Sequence, residues 1–126
     1  MIHGTLKSVK EDGRRKIEEF SSLEGDFSIQ LFTILSEQPL GDHYHEEKDE
    51  IFVILEGSGK LVTDSIDKEA WGGGRYLNSC ELKIGSVVLV KKRVAHRFIL
   101  EPGSKMICFS SKAFDENDFH THEFPD

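Results

Sequence analysis

From Phe27 to Leu35 apolar side chains fall on alternating positions. Phe27, Ile29, Leu31 and Leu35 share one face and Phe32 and Ile34 the other, the period of two of a β-strand. Shorter runs of the same kind follow at residues 51–55, 60–63, 86–90, 96–100 and 105–110. They are rich in β-branched and aromatic residues and bounded by turn signals, Glu56-Gly57-Ser58-Gly59 after one and Glu101-Pro102-Gly103 before another. No stretch carries the period of an amphipathic helix of ten or more residues. Closely spaced short strands without intervening helices predict an all-β antiparallel sandwich or barrel. Two segments stand outside this rhythm. Residues 64–80, with Trp71-Gly72-Gly73-Gly74-Arg75-Tyr76, read as a long loop, and the acidic tail 113–126, which carries His120 and His122, is expected to fray in part.

A chain of 126 residues is expected to form one domain spanning 1–126. With 37% hydrophobic and 31% charged residues it has the composition of an ordinary globular protein. Sixteen Lys and Arg against 23 Asp and Glu give a net charge of -7, which repels phosphate backbones and argues against nucleic acid as a partner. No apolar run approaches the length of a membrane span, and residues 1–10 lack the apolar core of a signal peptide, so the expectation is a cytoplasmic protein without a membrane partner. Cys80 and Cys108 are then expected as free thiols, with Cys108 a small buried hydrophobe.

The chemistry concentrates in Gly41-Asp42-His43-Tyr44-His45-Glu46-Glu47-Lys48-Asp49-Glu50. On an extended chain His43 and His45 project to the same side, so two imidazoles can grip one ion. Glu50 opens the next strand with the parity of Phe52 and Ile54, and His96 heads the strand His96-Arg97-Phe98-Ile99-Leu100. Three imidazoles and a carboxylate suit one first-row divalent ion, such as zinc, nickel, iron or manganese, and leave positions for water or substrate on an octahedral ion. Phe52, Ile54 and Phe98 are expected as the apolar wall of such a site, and Tyr44, of opposite parity to the histidines, as an outward aromatic. Lys91-Lys92-Arg93 and Arg14-Arg15-Lys16 read either as solvated basic turns or as contacts to an anionic group. His120 and His122 read as tail residues or as an adventitious ion site.

The spacing His43-x-His45-x4-Glu50-x6-Gly57 resembles the first motif of the cupin superfamily, and Gly85-x10-His96 resembles the second. Lys91 and Arg93 stand where that second motif commonly has proline and glycine, and Leu100 where it has asparagine. The resemblance implies a small jelly-roll barrel, the double-stranded β-helix, with His43, His45, Glu50 and His96 as metal ligands. Gly41 to His45 with Lys48 and Glu50 is similar to the metal-bearing cupin domain of capsular-polysaccharide reductases. Residues 111–119, with Phe124, resemble the close of nucleotide-sugar cupins such as the dTDP-sugar 3,4-ketoisomerases.

These likenesses imply an enzyme of carbohydrate biosynthesis acting on a small oxygenated molecule, a sugar or nucleotide-sugar derivative, with the metal as Lewis acid and His43 and Glu50 as its catalytic groups. One alternative is a metal-free isomerase or epimerase in which the residue matching His43 moves the proton. Another is a non-catalytic module that binds a small ligand, because fold does not fix function. An oxygen-consuming dioxygenase is a variant of the metal reading. The family also implies a homodimer, which would cover sheet edges.

Overall fold

The computed structural model describes residues 1, 3–22, 24–67 and 77–124. Its strands form two antiparallel sheets facing one another in a jelly-roll barrel. The larger sheet runs β1 (Lys7–Glu11), β2 (Arg15–Ser21), β3 (Ser28–Ile34), β10 (Lys105–Ser110), β5 (Glu50–Glu56) and β8 (Val87–Val90). The smaller runs β11 (His120–Thr121), β4 (Leu40–Tyr44), β9 (Val94–Leu100), β6 (Gly59–Ser65) and β7 (Leu77–Leu82). Among the described residues no helix is long and apolar enough to cross a membrane.

The alternating runs are the strands of the core, each within a few residues of its expected bounds. What the hydrophobic runs did not signal are β1, β2, β4, β7 and the two-residue β11. In β1 every side chain is exposed, and in β7 only Leu82 is buried, so neither has an apolar face for periodicity to report. The long loop expected over 64–80 is narrower, because its ends belong to β6 and β7, paired Asp64 to Leu77. Its aromatic and glycine-rich part, Trp71 to Tyr76, lies outside the described residues.

Where partial fraying of the tail was expected, the described part, through Phe124, is docked on the barrel. Asp115 caps a single 3-10 turn at Glu116–Asp118, and β11 pairs with β4, His120 opposite Tyr44 and Thr121 opposite His43. Phe124 is buried, and His122 Nε2 lies 2.8 Å from Oδ2 of the buried Asp64. Backbone pairing plus one buried aromatic holds a segment that its acidic composition alone would release.

The inner face of the barrel has a dry end and a polar end. Along β5 the inward positions run Glu50, Phe52, Ile54; along β9 His96, Phe98, Leu100; along β10 Ser110, Cys108, Met106. The register aligns these series, with Ser110 opposite Glu50, Cys108 opposite Phe52 and Met106 opposite Ile54. Ile34, Leu61 and Leu82 complete the apolar end.

Strand β4 brings its histidines to the polar end through a bulge. The pairing with β9 shifts between Gly41 and His43, so Leu40 and His43 can both face inward although they are three residues apart. Gly41 sits at φ +106° and Asp42 at φ +57°. Asp42 is held there by two hydrogen bonds of 2.7 Å from Arg97 and by its carbonyl, which accepts from the His122 amide. A Cβ on Gly41 would come within 2.5 Å of the His96 carbonyl oxygen. Gly41→Ala is therefore expected to cost more than about 2 kcal/mol in urea denaturation, left-handed strain plus a forced separation of β4 from β9. Gly103→Ala, at φ +87° with nothing within 4 Å of the new carbon, is expected to cost only about 1 kcal/mol. Equal losses in the two variants would show that the close approach at Gly41 contributes nothing.

Candidate metal centre

The strand framework brings His43 and His45 from β4 and its exit, Glu50 from the head of β5 and His96 from β9 to one place. Each offers a ligand atom, and these atoms all lie within 4.8 Å of one another. Glu50 Oε1 is the common neighbour, 3.3 Å from His45 Nε2 and 3.7 Å from His96 Nε2. The ring of His43 stands 4.9 Å from that of His45 and 4.5 Å from that of His96, nearly perpendicular to both.

Backbone carbonyls decide which imidazole nitrogens face the cluster. His45 Nδ1 lies 2.6 Å from the Asp118 carbonyl oxygen, which can only accept, so this nitrogen carries the proton. His96 Nδ1 lies 3.4 Å from the Val94 carbonyl in the same relation. Both Nε2 atoms then present lone pairs to the carboxylate oxygen. Glu50 Oε1 and His43 Nδ1 are buried without a hydrogen-bond partner. Lone pairs facing one another in a buried place repel unless a proton or a cation stands among them. With the outer nitrogens fixed by carbonyls, as metal-ligating histidines usually are, the donor set fits a divalent transition metal.

The other carboxylate oxygen is pinned. Oε2 of Glu50 accepts from Ser110 Oγ and Cys108 Sγ, both at 3.4 Å, and has Lys48 Nζ at 3.9 Å. Burial alone would raise the Glu50 pKa, but the hydrogen bond and charge that His45 and His96 supply when protonated, together with Lys48, outweigh it and hold the carboxyl below its ordinary range, so Glu50 is an anion. Burial pushes His43 down to about 3, helped by repulsion from His96, and it also lowers His96. Both shifts favour the neutral imidazole, the form a metal takes.

Around the cluster is a cavity of about 470 Å³, walled by Phe32, Leu40, Phe52, Phe98 and Met106 and closed on one side by Phe114 and Phe119 of the tail. Phe119 stacks on His43, with ring centroids 4.3 Å apart and 30° between planes. The carboxylate of Asp118 accepts from the amides of Glu46 and Glu47, at 2.7 and 3.0 Å, which fixes the turn between His45 and Glu50.

All four residues singled out by spacing are thus neighbours, and Phe52, Phe98 and the inward parity of Glu50 stand as expected. Ile54 faces inward too, but in the apolar core. Tyr44 faces away and stacks on His120, with centroids 5.1 Å apart. Cys80 and Cys108 are free; Cys108 is buried as expected, yet it touches Glu50, and burial raises its pKa well above the ordinary thiol value. In the basic turn, Lys91 and Lys92 are exposed while both carboxylate oxygens of Glu46 accept from Arg93, at 3.0 Å. Arg93 occupies φ +63°, the conformation that glycine would adopt freely, and its amide donates to the His45 carbonyl at 2.8 Å. Asp118 and Phe119 went unrecognised, because their partners lie more than 70 residues earlier and no local spacing links them.

No protein-family model matches the sequence, and no curated protein matches it. Solved structures do resemble it. The capsular polysaccharide assembling protein CapF of Staphylococcus aureus superposes over 97% of this chain and 33% of its own, with TM-score 0.73 and 18% identity. Oxalate decarboxylase of Bacillus subtilis matches 96% of this chain and 32% of its own, with TM-score 0.70 and 15% identity. Pac13, a nucleoside dehydratase with a Streptomyces source, matches 96% of this chain and 88% of its own, with TM-score 0.68 and 9% identity. The chain spans about a third of the length of CapF and of oxalate decarboxylase. These neighbours share one architecture, the one that the two histidine motifs resemble: this chain has the cupin fold.

Proposed function

We propose that this protein holds one divalent transition metal through His43, His45, Glu50 and His96 and acts on a small oxygenated molecule, first among the candidates a sugar or nucleotide-sugar derivative. The observation that carries the reading is the buried Glu50 Oε1 without a hydrogen-bond partner, faced by the lone pairs of two tautomer-fixed histidines. A bound ion would supply Lewis acidity, polarising a carbonyl or hydroxyl of the ligand. The chain's own groups do the rest. The Asp118 and Val94 carbonyls orient the imidazoles, Ser110 and Cys108 fix the carboxylate, and the phenylalanines with Met106 exclude water and set the shape of the ligand. The choice of sugars is supported by the likeness to CapF, named for capsular polysaccharide assembly and solved with the inhibitor 3-isopropenyl-tropolone, a seven-membered carbon ring with a carbonyl and a hydroxyl oxygen on adjacent carbons.

The metal-free reading, with His43 as proton acceptor, is disfavoured by the depression of that imidazole to about 3, far from the pKa a base needs near neutrality. A non-catalytic binding module would share the site and differ only in the absence of turnover.

We infer a homodimer joined through the outer face of the larger sheet rather than its edges. There Phe109, Ile51 and Leu89 align across β10, β5 and β8, with Val87 and Leu55 beside them, and these five are 41–63% exposed. A contiguous apolar face across three strands is the kind of surface that a partner commonly covers. A second copy suits it, because the patch is uncharged in a chain of net charge -7, and an isologous pairing keeps the acidic surfaces apart.

Elemental analysis of untagged protein is expected to find about one equivalent of transition metal, and almost none in His45→Ala; no metal in either after zinc, nickel, iron and manganese are offered would overturn the reading. In chelator-treated protein, the unfolded chain takes up a proton at His43 near pH 6.5 that the folded chain refuses until about 3. Stability should therefore fall as pH drops through this window, His43 alone contributing about 1.4 kcal/mol per pH unit. His43→Gln should flatten that slope in denaturation curves, and an unchanged slope would contradict it. Light scattering coupled to size exclusion is expected to give a dimer mass for the parent and a monomer mass for Phe109→Lys; a monomeric parent at tens of micromolar ends the dimer proposal.

A further inference from the structure

Lys48 is a charged side chain in a place where charge is expensive. Its side chain is 7% exposed, and it lines the cavity beside the four-residue cluster. Its ion-pair partner among the described residues is Glu50 Oε2, at 3.9 Å, beyond hydrogen-bond reach. That oxygen already accepts from Ser110 and Cys108. An ammonium carries three N–H donors, and at the cavity wall those of Lys48 are left to solvent or to whatever the cavity holds. No hydrogen bond within the described residues answers these donors, and the space they face is the ligand cavity.

The other charged side chains lining the cavity differ in kind. Lys10, Arg15, Glu19 and Glu116 all reach solvent, and Glu19 also accepts from Gln30 at 2.9 Å. Water screens those four charges more fully than the deeper-set pair of Lys48 and Glu50, each 7% exposed. There the charges of Lys48 and Glu50 already sum to zero. A divalent cation held by the cluster would leave an uncompensated excess of two positive charges against an apolar wall. Low dielectric makes such an excess costly, and the natural compensation is a ligand that brings negative charge with it.

We propose that the ligand of this site is a small organic anion whose carboxylate or enolate oxygen accepts from Lys48 Nζ, with its body against Phe52, Phe98 and Phe119. The inference deepens the function proposed above and rests on its placement of the ligand beside the cluster. It narrows the class from oxygenated molecules in general to acids and readily enolised compounds; among sugars it selects sugar acids over neutral sugars. Lys48 is then a specificity-determining residue, and its contribution does not require that a reaction be observed.

The test is calorimetric titration of the purified protein, as isolated and after removal of metal by a chelator, with oxalate, glucuronate and tropolone on one side and glucose and uridine on the other. Glucuronate and glucose differ chiefly by the carboxylate, so that pair isolates the charge. At least one of the anions is expected to bind at least tenfold more tightly than the neutral compounds. Lys48→Met should abolish that preference, and Lys48→Arg should restore part of it. Circular dichroism and metal content verify that each variant is folded and loaded. A merely structural Lys48 would instead lower the melting temperature and metal content in Lys48→Met while leaving the ratio of anion to neutral affinity unchanged, which would overturn the proposal. No anion binding more tightly than the neutral compounds, or binding of neither class, would also overturn it. Absence of metal with anion preference intact would sink only the metal reading, because Lys48 still presents its donors in the metal-free protein.

Discussion

A carboxylate taken out of water and set among imidazole lone pairs is the constraint on which the polar end of this barrel depends. Glu50 is 5% exposed, and each of its oxygens answers to a different set of neighbours. Oε2 is satisfied by Ser110 and Cys108, which share β10 and face Glu50 because the β5–β10 register puts them there. Oε1 is left for the histidines. Had the register slipped by one residue, Glu50 would point outward and Ile51 inward, and the cluster would not exist. The apolar end of the same strands prevents that slip, since Phe52 and Ile54 would lose their burial with it. Packing at one end of the barrel thus positions chemistry at the other.

The tail is the second support. Asp118 meets the chain three times in the same turn: its carbonyl accepts from His45 Nδ1, and its carboxylate accepts from the amides of Glu46 and Glu47. The strand that follows pairs with β4, and His122 reaches the buried Asp64 from the far side. Each contact is modest alone, about 1 kcal/mol for a neutral hydrogen bond and more where a carboxylate accepts. Together they make tail order and imidazole orientation one event. A histidine whose tautomer depends on a carbonyl some 70 residues away is oriented only when the whole sheet is assembled, so the site cannot form on a partly folded barrel.

How much of this was legible in sequence follows from how far each signal travels along the chain. Strand periodicity is local, and where one face is apolar, as at Phe52 and Ile54 or Phe98 and Leu100, it placed both the strand and its inward side. His43, His45 and Glu50 lie within eight residues, so spacing could speak for them. His96 joined through a second motif of similar type. The strands β1 and β7 lie at sheet edges with polar residues on both faces, and no period of two in hydropathy exists there to be read. Asp118, Phe119 and the donors from Ser110 and Cys108 reach the site through sheet register, a property of pairing between distant segments. Their residue types are ordinary, and nothing in the acidic stretch around Asp118 distinguishes a latch from a loose end.

Arg93 shows how a departure from the motif that the sequence resembles can be absorbed. The resembled motif commonly has glycine here, and the structure has a left-handed backbone at this position, which costs a side-chain-bearing residue about 1 kcal/mol or more. Arg93 offsets that cost in two ways that glycine could share only in part. Its amide donates to the His45 carbonyl, which any residue at this conformation could do, but its guanidinium also donates to both oxygens of Glu46, the residue next to His45. The turn before His96 and the turn after His45 are thereby tied by backbone and side chain at once. Strain accepted at one residue holds the two histidine-bearing segments together, which is how the cluster keeps its geometry on loops as well as on strands.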